Sequence, residues 1–283
     1  MASREQLIEV FEDTRRMYET EKELVEAVKA SISGTKLYAP DEYPEIKDRG
    51  AQGETVITVS GDRSLAAAQR LMRQYPGKKT AVHNFASATN PGGGVERGSR
   101  AQEECLCRCT TLFPVLSDGR LKRDFYLFHK QRHDLRYTDS CIYSPDIVIL
   151  KTDTDIPRRL EKADRTTVDI ITCAAPNLRS KPYNRMNPGQ SQRPVRLSST
   201  ELLKIHKKRA LHMFAAAAAN GAEIMVLGAF GCGAFQNDPE TVAKAYKQAL
   251  REFDGYRFAH VEFAVYCPPD NCSNFDAFNE VFG

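Results

Sequence analysis

Between residues 3 and 31, apolar side chains fall at Leu7, Val10, Phe11, Met17, Leu24, Val25 and Val28, with charged residues between them and neither Pro nor Gly before Gly34. That spacing predicts one long amphipathic helix. Residues 33–53 carry Gly34, Pro40, Pro44, Gly50 and Gly53, the punctuation of a loop-rich connection. The rhythm then changes. Short apolar runs at 55–59, 79–85, 146–150, 168–173, 223–227 and 261–265 read as strands. Between them, helices are predicted over 64–74, 102–115, 121–134, 199–220, 239–253 and 274–282. The fourth of these is the best delimited, with Ser198 or Ser199 as cap, Glu201 behind it, and Asn220-Gly221 as the stop. Strands alternating with helices predict an α/β layer fold with a mostly parallel or mixed sheet. The expected division is a helical extension over 1–52, packed on a main domain over 53–283. The polar stretch Ser180–Arg196, with Pro182, Pro188, Gly189 and Pro194, reads as a long surface loop.

Composition narrows the function classes. The chain has 283 residues, 41% of them hydrophobic, enough for a substantial core. A formal net charge of +3 gives no argument for non-specific nucleic-acid binding. No stretch approaches the ~20 apolar residues of a membrane span, and residues 1–24 lack the apolar segment of a secretory signal. A cytoplasmic protein is expected, or a nuclear one in a eukaryote, with its eight cysteines reduced. Cys105, Cys107 and Cys109 alternate at a spacing of two, too close for paired zinc ligands. His129 and His133 have metal-gripping spacing but no zincin glutamate, so a surface or capping role is expected. Neither metal nor cofactor is expected.

The chemistry concentrates in two glycine-rich segments. The run at 79–85 leads into NFASATNPGGGVERGSRAQEE. Consecutive glycines are costly in backbone entropy and belong where the chain adopts positive φ or passes close to a ligand; their amides suit phosphate oxygens. Gln102, Glu103 and Glu104 then open a helix, where acidic residues also serve simply to complement the helix dipole. The second segment, GAFGCGAFQNDPE after the run at 223–227, places Gly228, Gly231 and Gly233 ahead of a Pro-initiated helix, a geometry suited to an anion. It lacks the Gly-Lys-Ser/Thr ending of a P-loop.

Three glycines, a short spacer (here VERGSRA) and Gln-Glu-Glu resemble the signature of the poly(ADP-ribose) glycohydrolases, and the flanking NFASATNPGGG and AQEECLCRCTTLFP resemble their microbial-type members. The resemblance covers most of the chain from about Gly53 onward and extends, less specifically, to the N-terminal helix. It implies a macrodomain, a mixed sheet between helices, acting as a monomer on poly(ADP-ribose) or ADP-ribosylated macromolecules and releasing ADP-ribose, away from membranes. It implies Glu104 as general acid and base, with Glu103 holding the proximal ribose. Asn84, Asn90, Gly92, Gly93, Gly94, Val95 and Gln102 would line the ribose and phosphate side, with Asn84 and Asn90 either hydrogen-bonding the ribose or simply supporting the loop. Gly231, Cys232, Gly233 and Ala234 would wrap the diphosphate, with Phe235 against the distal ribose or adenine. An exo preference follows if the N-terminal and loop segments block the chain beyond the distal ribose.

Some assignments stay open at this level. Asp62 either lies near the adenine or caps the next helix. Asn177 either contacts the ligand or caps a turn. Phe235 is either a ligand contact or a core anchor. Phe275 is a candidate adenine-stacking residue. A macrodomain that binds ADP-ribose without cleaving it, or a hydrolase of mono-ADP-ribose on protein or nucleic acid, are the competing functions; the paired carboxylates argue against a pure reader.

Overall fold

The computed structural model describes residues 2–182, 193–268 and 270–283. The predicted loop over 180–196 lies largely outside them. The N-terminal extension forms two helices rather than one, α1 (Arg4–Thr20) and α2 (Lys22–Gly34). The break is at Glu21, which is extended. Its N–H still bonds Met17 O (2.9 Å), its own carbonyl starts α2 by accepting from Leu24 and Val25, and Arg165 grips its carboxylate at 2.6 Å. The break lets Phe11, Met17 and Tyr18 from α1, and Leu24 and Val28 from α2, meet the same apolar core. Ser3 and Gln6 form a capping box at the start of α1.

The rest follows in order: β1 (Lys36–Tyr38), β2 (Val56–Ser60), α3 (Ser64–Gln74), β3 (Thr80–Phe85), α4 (Gln102–Cys109), α5 (Leu112–Leu116), and a helical run α6 over 119–132 whose middle part is π-helical. Then come β4 (Cys141–Val148), β5 (Thr167–Cys173), α7 (Ser199–Ala219), β6 (Ile224–Leu227), α8 (Pro239–Glu252), β7 (His260–Ala264) and α9 (Ser273–Phe282). The helix expected over 102–115 is interrupted because Thr110 pairs with Ile149 and the Thr111 N–H bonds Val148 O at 3.1 Å. Strand β1 emerges from the stretch expected to be loop.

The seven strands make one mixed sheet, ordered β1-β4-β5-β3-β6-β7-β2. Strands β5, β3, β6, β7 and β2 are parallel; β4 runs antiparallel to both β5 and β1. Alternation along the central strands assigns the two faces. Val82, Ile170, Ile224 and Val226 pack with α1 to α5, while Ala81, Ile171, Met225, Leu227 and Phe263 pack with α7, α8 and α9. The result is the expected mixed sheet between helical layers. No helix among the described residues is long and apolar enough to cross a membrane.

One side-chain expectation changes, and for His129 the capping alternative is the one met. Six cysteines are free, but Cys267 and Cys272 form a disulfide, because the turn after β7 brings their Cα atoms to 4.7 Å. His129 is buried and caps its own helix, contacting Phe125 O and Thr138 Oγ1 at 2.8 Å each.

Candidate active site

Parallel strands converge their carboxyl ends on one edge of the sheet, where ligands of open α/β folds bind. A cleft of about 700 Å³ opens there. The segment after β2 contributes Asp62 and Arg63, β3 and its loop contribute Phe85 and Ser87, the loop after β6 contributes Ala229 and Gly231, and the end of β7 and the segment after it contribute Ala264, Val265 and Tyr266. The first turn of α4 faces them.

That turn is held with unusual completeness. Gln102 Oε1 accepts the Phe85 N–H (2.9 Å), while its Nε2 donates to His83 O (2.7 Å) and Ser64 Oγ (3.1 Å). One amide side chain thus ties α4 to the end of β3 and to the start of α3. Glu103 Oε2 accepts the Ser87 N–H at 2.7 Å, and Oε1 accepts Asn84 Nδ2 at 3.4 Å; the Gly92 N–H is a further donor. Asn84 is fully buried, also donates to Thr172 Oγ1 at 3.2 Å, and does not line the cleft. It is a brace for Glu103. Glu104 Oε1 accepts the Gly94 N–H at 2.8 Å, but its Oε2 is buried with no partner among the described residues. Both glutamates line the cleft and are under a tenth exposed.

The triple glycine is thereby explained differently from the sequence expectation. Its amides are already committed: Gly92 to Glu103, Gly93 to Asn90 O (3.0 Å) and Gly94 to Glu104. Those of Gly92 and Gly94 support the two carboxylates, and that of Gly93 closes the turn on Asn90. Gly93 must also lack a side chain. Its φ is +59°, and a Cβ there would stand 2.5 Å from Glu104 Oε1 and 3.0 Å from Glu103 Oε2. Gly93, Gly94 and Asn90 line the cleft; Gly92 packs by Phe113, and Val95 is buried in the core.

Burial, and next the charge of Glu104, push the Glu103 carboxyl well above the ordinary carboxylate range; the Ser87 amide, Asn84 and the Gly92 amide oppose this. Two adjoining buried carboxyls resist double ionisation, so the site retains a proton beyond the pH at which a free glutamate loses it.

The second glycine loop has the complementary design. Asn237, buried at its end, donates through Nδ2 to Pro176 O (2.8 Å), Gly231 O (3.1 Å) and Phe235 O (3.2 Å), and its Oδ1 meets His206 Nε2 at 2.8 Å. Among the described residues no acceptor takes the amides of Gly231, Gly233, Ala234 or Phe235, and all four residues line the cleft. Cys232 differs: its amide bonds Ala229 O at 3.1 Å, its side chain packs toward the core, and it does not line the cleft.

The family model for the microbial-type PARG (poly(ADP-ribose) glycohydrolase) catalytic domain matches residues 5–152. The chain belongs to the microbial-type poly(ADP-ribose) glycohydrolase family. It is similar to the crystal structure of poly(ADP-ribose) glycohydrolase from Thermomonospora curvata, at 32% identity and a TM-score of 0.82, covering 98% of this chain and 99% of that one. The T. curvata enzyme bound to the inhibitor ADP-HPD matches with the same identity and coverage at a TM-score of 0.79. The Deinococcus radiodurans enzyme in complex with ADP-ribose matches at 32% identity and a TM-score of 0.72, over 90% of this chain and 96% of that one. No curated protein matches. The protein is a glycohydrolase acting on poly(ADP-ribose).

Within this glycohydrolase, the open assignments resolve as follows. Asp62 lines the cleft with its carboxylate held by Arg70 (3.0 and 3.2 Å); the start of α3 is capped from elsewhere, by Asp153 Oδ2 on the Leu65 N–H at 3.0 Å. Asn177 is buried, braces Arg179 through Oδ1 (3.1 and 3.3 Å) and does not line the cleft. Phe235 both lines the cleft and packs on the core, with the Arg179 guanidinium 5.7 Å from its ring centre. Phe275 packs against the core under α9 and is replaced on the cleft wall by Asn274. Ser87, Arg179 and Asn237 were not anticipated. Asn237 carried a usable signal, an amide side chain ending a glycine loop just before a helix start; Ser87, which acts through its backbone, carried none.

Proposed function

We propose that Glu104 is the general acid and base in removal of a terminal ADP-ribose from the polymer, and that Glu103 fixes the ribose against it. The observation that carries this is the asymmetry of the pair. Glu103 has donors on both oxygens, while Glu104, which also lines the cleft, keeps a buried Oε2 that meets no donor among the described residues. A proton held by the pair can be handed out from that oxygen to the leaving ribose hydroxyl as the anomeric C–O bond breaks. The Glu104 carboxylate so formed takes a proton from the attacking water, whose oxygen closes on the anomeric carbon, and the proton inventory is restored. The open amides at Gly231, Gly233, Ala234 and Phe235 suit the diphosphate, which then lies close to the positive charge developing at the anomeric carbon. A cleft of about 700 Å³ suits one ADP-ribose unit rather than a run of them, which supports exo cleavage.

Replacement of Glu104 by Gln tests the assignment. Hydrolysis of poly(ADP-ribose) should fall by about a thousandfold or more, while calorimetry shows ADP-ribose bound as by wild type. Turnover within tenfold of wild type would remove Glu104 from the mechanism.

A further inference from the structure

The catalytic loop does not end at the glutamates. Beyond Gly94 it makes a single 3-10 turn (Val95–Arg97) and returns through Gly98 and Ser99 to α4. Arg97 and Arg100 project from this return, and Arg4 joins them from the first turn of α1. All three are exposed, and all three line the mouth of the cleft that holds Glu104. A shallower depression formed by Arg4, Gly98, Ser99 and Arg100 continues outward from it.

The arrangement is built rather than incidental. Gly98 has a φ of +69°, and a Cβ there would stand 2.5 Å from the Arg4 carbonyl oxygen, so loop and helix touch backbone to backbone. Arg100 donates to the Ala2 carbonyl, and Arg108 holds Ser99 O at 2.6 Å. Two nearby carboxylates are engaged elsewhere: Glu96 is taken by Arg15 at 2.5 Å, and Asp155 pairs with Arg63. Glu5, beside Arg4, is the acidic residue of that turn. Arg4 acts on the Glu5 carboxylate only at longer range, and among the described residues neither Arg4 nor Arg97 forms an ion pair within 4 Å.

We infer that Arg4, Arg97 and Arg100 form a subsite for the diphosphate of the leaving chain, the polymer unit adjoining the one that is removed. This rests on the glycohydrolase reading of Glu104. In poly(ADP-ribose) the leaving hydroxyl belongs to the adenosine ribose of the next unit, so a diphosphate follows the scissile oxygen by a few bonds. Glu104 Oε1 is bonded to Gly94, and Ser99 packs against Gly94, so the arginine-bearing return begins directly beside the acid. Arginine forks suit phosphate oxygens, and an exposed set of them also steers a polyanion toward the cleft. The subsite would act on polymer and not on an ADP-ribosyl group with a small leaving group.

Charge reversal at Arg4 and Arg97, singly and together, tests this, because neither side chain donates to the backbone as Arg100 does. Two substrates are compared: poly(ADP-ribose), and an ADP-ribosyl aryl glycoside whose leaving group carries no phosphate. For polymer, kcat/KM should fall about tenfold per reversal and its salt dependence should flatten. For the aryl glycoside it should stay within twofold. Equal losses on both substrates, or no loss on polymer, would overturn the subsite. The same reversals placed in the Glu104→Gln protein should weaken polymer binding and leave ADP-ribose binding unchanged. This arm needs no turnover: a Glu104→Gln protein that still cleaves defeats the acid assignment, while polymer affinity indifferent to the arginines defeats the subsite.

Discussion

Gly93 is the position where the architecture of the site can be tested most sharply. Replacement by Ala adds one carbon at a residue whose φ is +59°, and places it 2.5 Å from Glu104 Oε1. Alanine in the left-handed region costs about 1–2 kcal/mol. An ordinary non-bonded contact needs about 3.4 Å or more, so the Glu104 carboxylate must retreat by roughly 0.9 Å. The overlap adds about 1–3 kcal/mol. A displacement of that size at an acid–base group costs about a hundredfold in rate. The assay is steady-state release of ADP-ribose from polymer, read beside a melting curve and an ADP-ribose titration. The expected result is kcat down about a hundredfold, Tm down by roughly 3–8 °C, and ADP-ribose still bound, because the open amides lie on the other loop. Gly77→Ala is the control. Its φ is +81° but a Cβ there meets nothing within 4 Å, so it incurs the backbone cost alone and leaves the activity intact. A Gly93→Ala enzyme with wild-type kcat would show that the approach of Gly93 to the glutamates does not matter, and would refute the account of the triple glycine.

Two further outcomes are expected. Because burial raises the Glu103 carboxyl, its contribution to stability is greatest below the ordinary glutamate range and is lost as pH rises toward the raised value; the difference in Tm between Glu103→Gln and wild type should therefore grow more positive from pH 5 to pH 8, and a pH-independent difference would contradict the shift. Asn237→Ala strips four contacts from a buried side chain and leaves Gly231 O, Phe235 O and Pro176 O without that donor, so it should cost about 2–4 kcal/mol in chemical denaturation and weaken ADP-ribose binding, whereas unchanged affinity would separate the amide loop from ligand recognition.

How far the sequence could be read depends on the range of the interaction involved. The layered α/β architecture was legible because short, almost continuously buried runs such as Thr80–Phe85 and Thr167–Cys173 show their buried character locally. The split at Glu21 was not, since it depends on Arg165, 144 positions away. Strand β1 was missed for the same reason: Lys36–Tyr38 is a strand only because β4 lies beside it. The Cys267–Cys272 pair ran against an expectation drawn from the cell compartment rather than from the turn that joins them.

The same distinction governs the site. Glycine content correctly marked both loops as places where backbone meets something closely, but it could not say what. In the second loop the amides of Gly231, Gly233, Ala234 and Phe235 meet no acceptor among the described residues, as anion binding requires. In the first they close on the enzyme's own carboxylates, ten positions ahead from Gly94 to Glu104 and eleven from Gly92 to Glu103. Such a partner leaves no periodic trace, because the loop between them turns back on itself. The consequence is chemical as well as geometric. Amides aimed at Glu103 hold one carboxylate of the pair in place, while its burial raises that carboxyl above the ordinary range against their pull. A loop whose glycines bound phosphate instead would leave Glu103 without its Gly92 donor and Glu104 without its Gly94 donor. In this fold, then, the division of labour between the loops is itself what leaves Glu104, at the cleft wall, with one oxygen that meets no donor among the described residues.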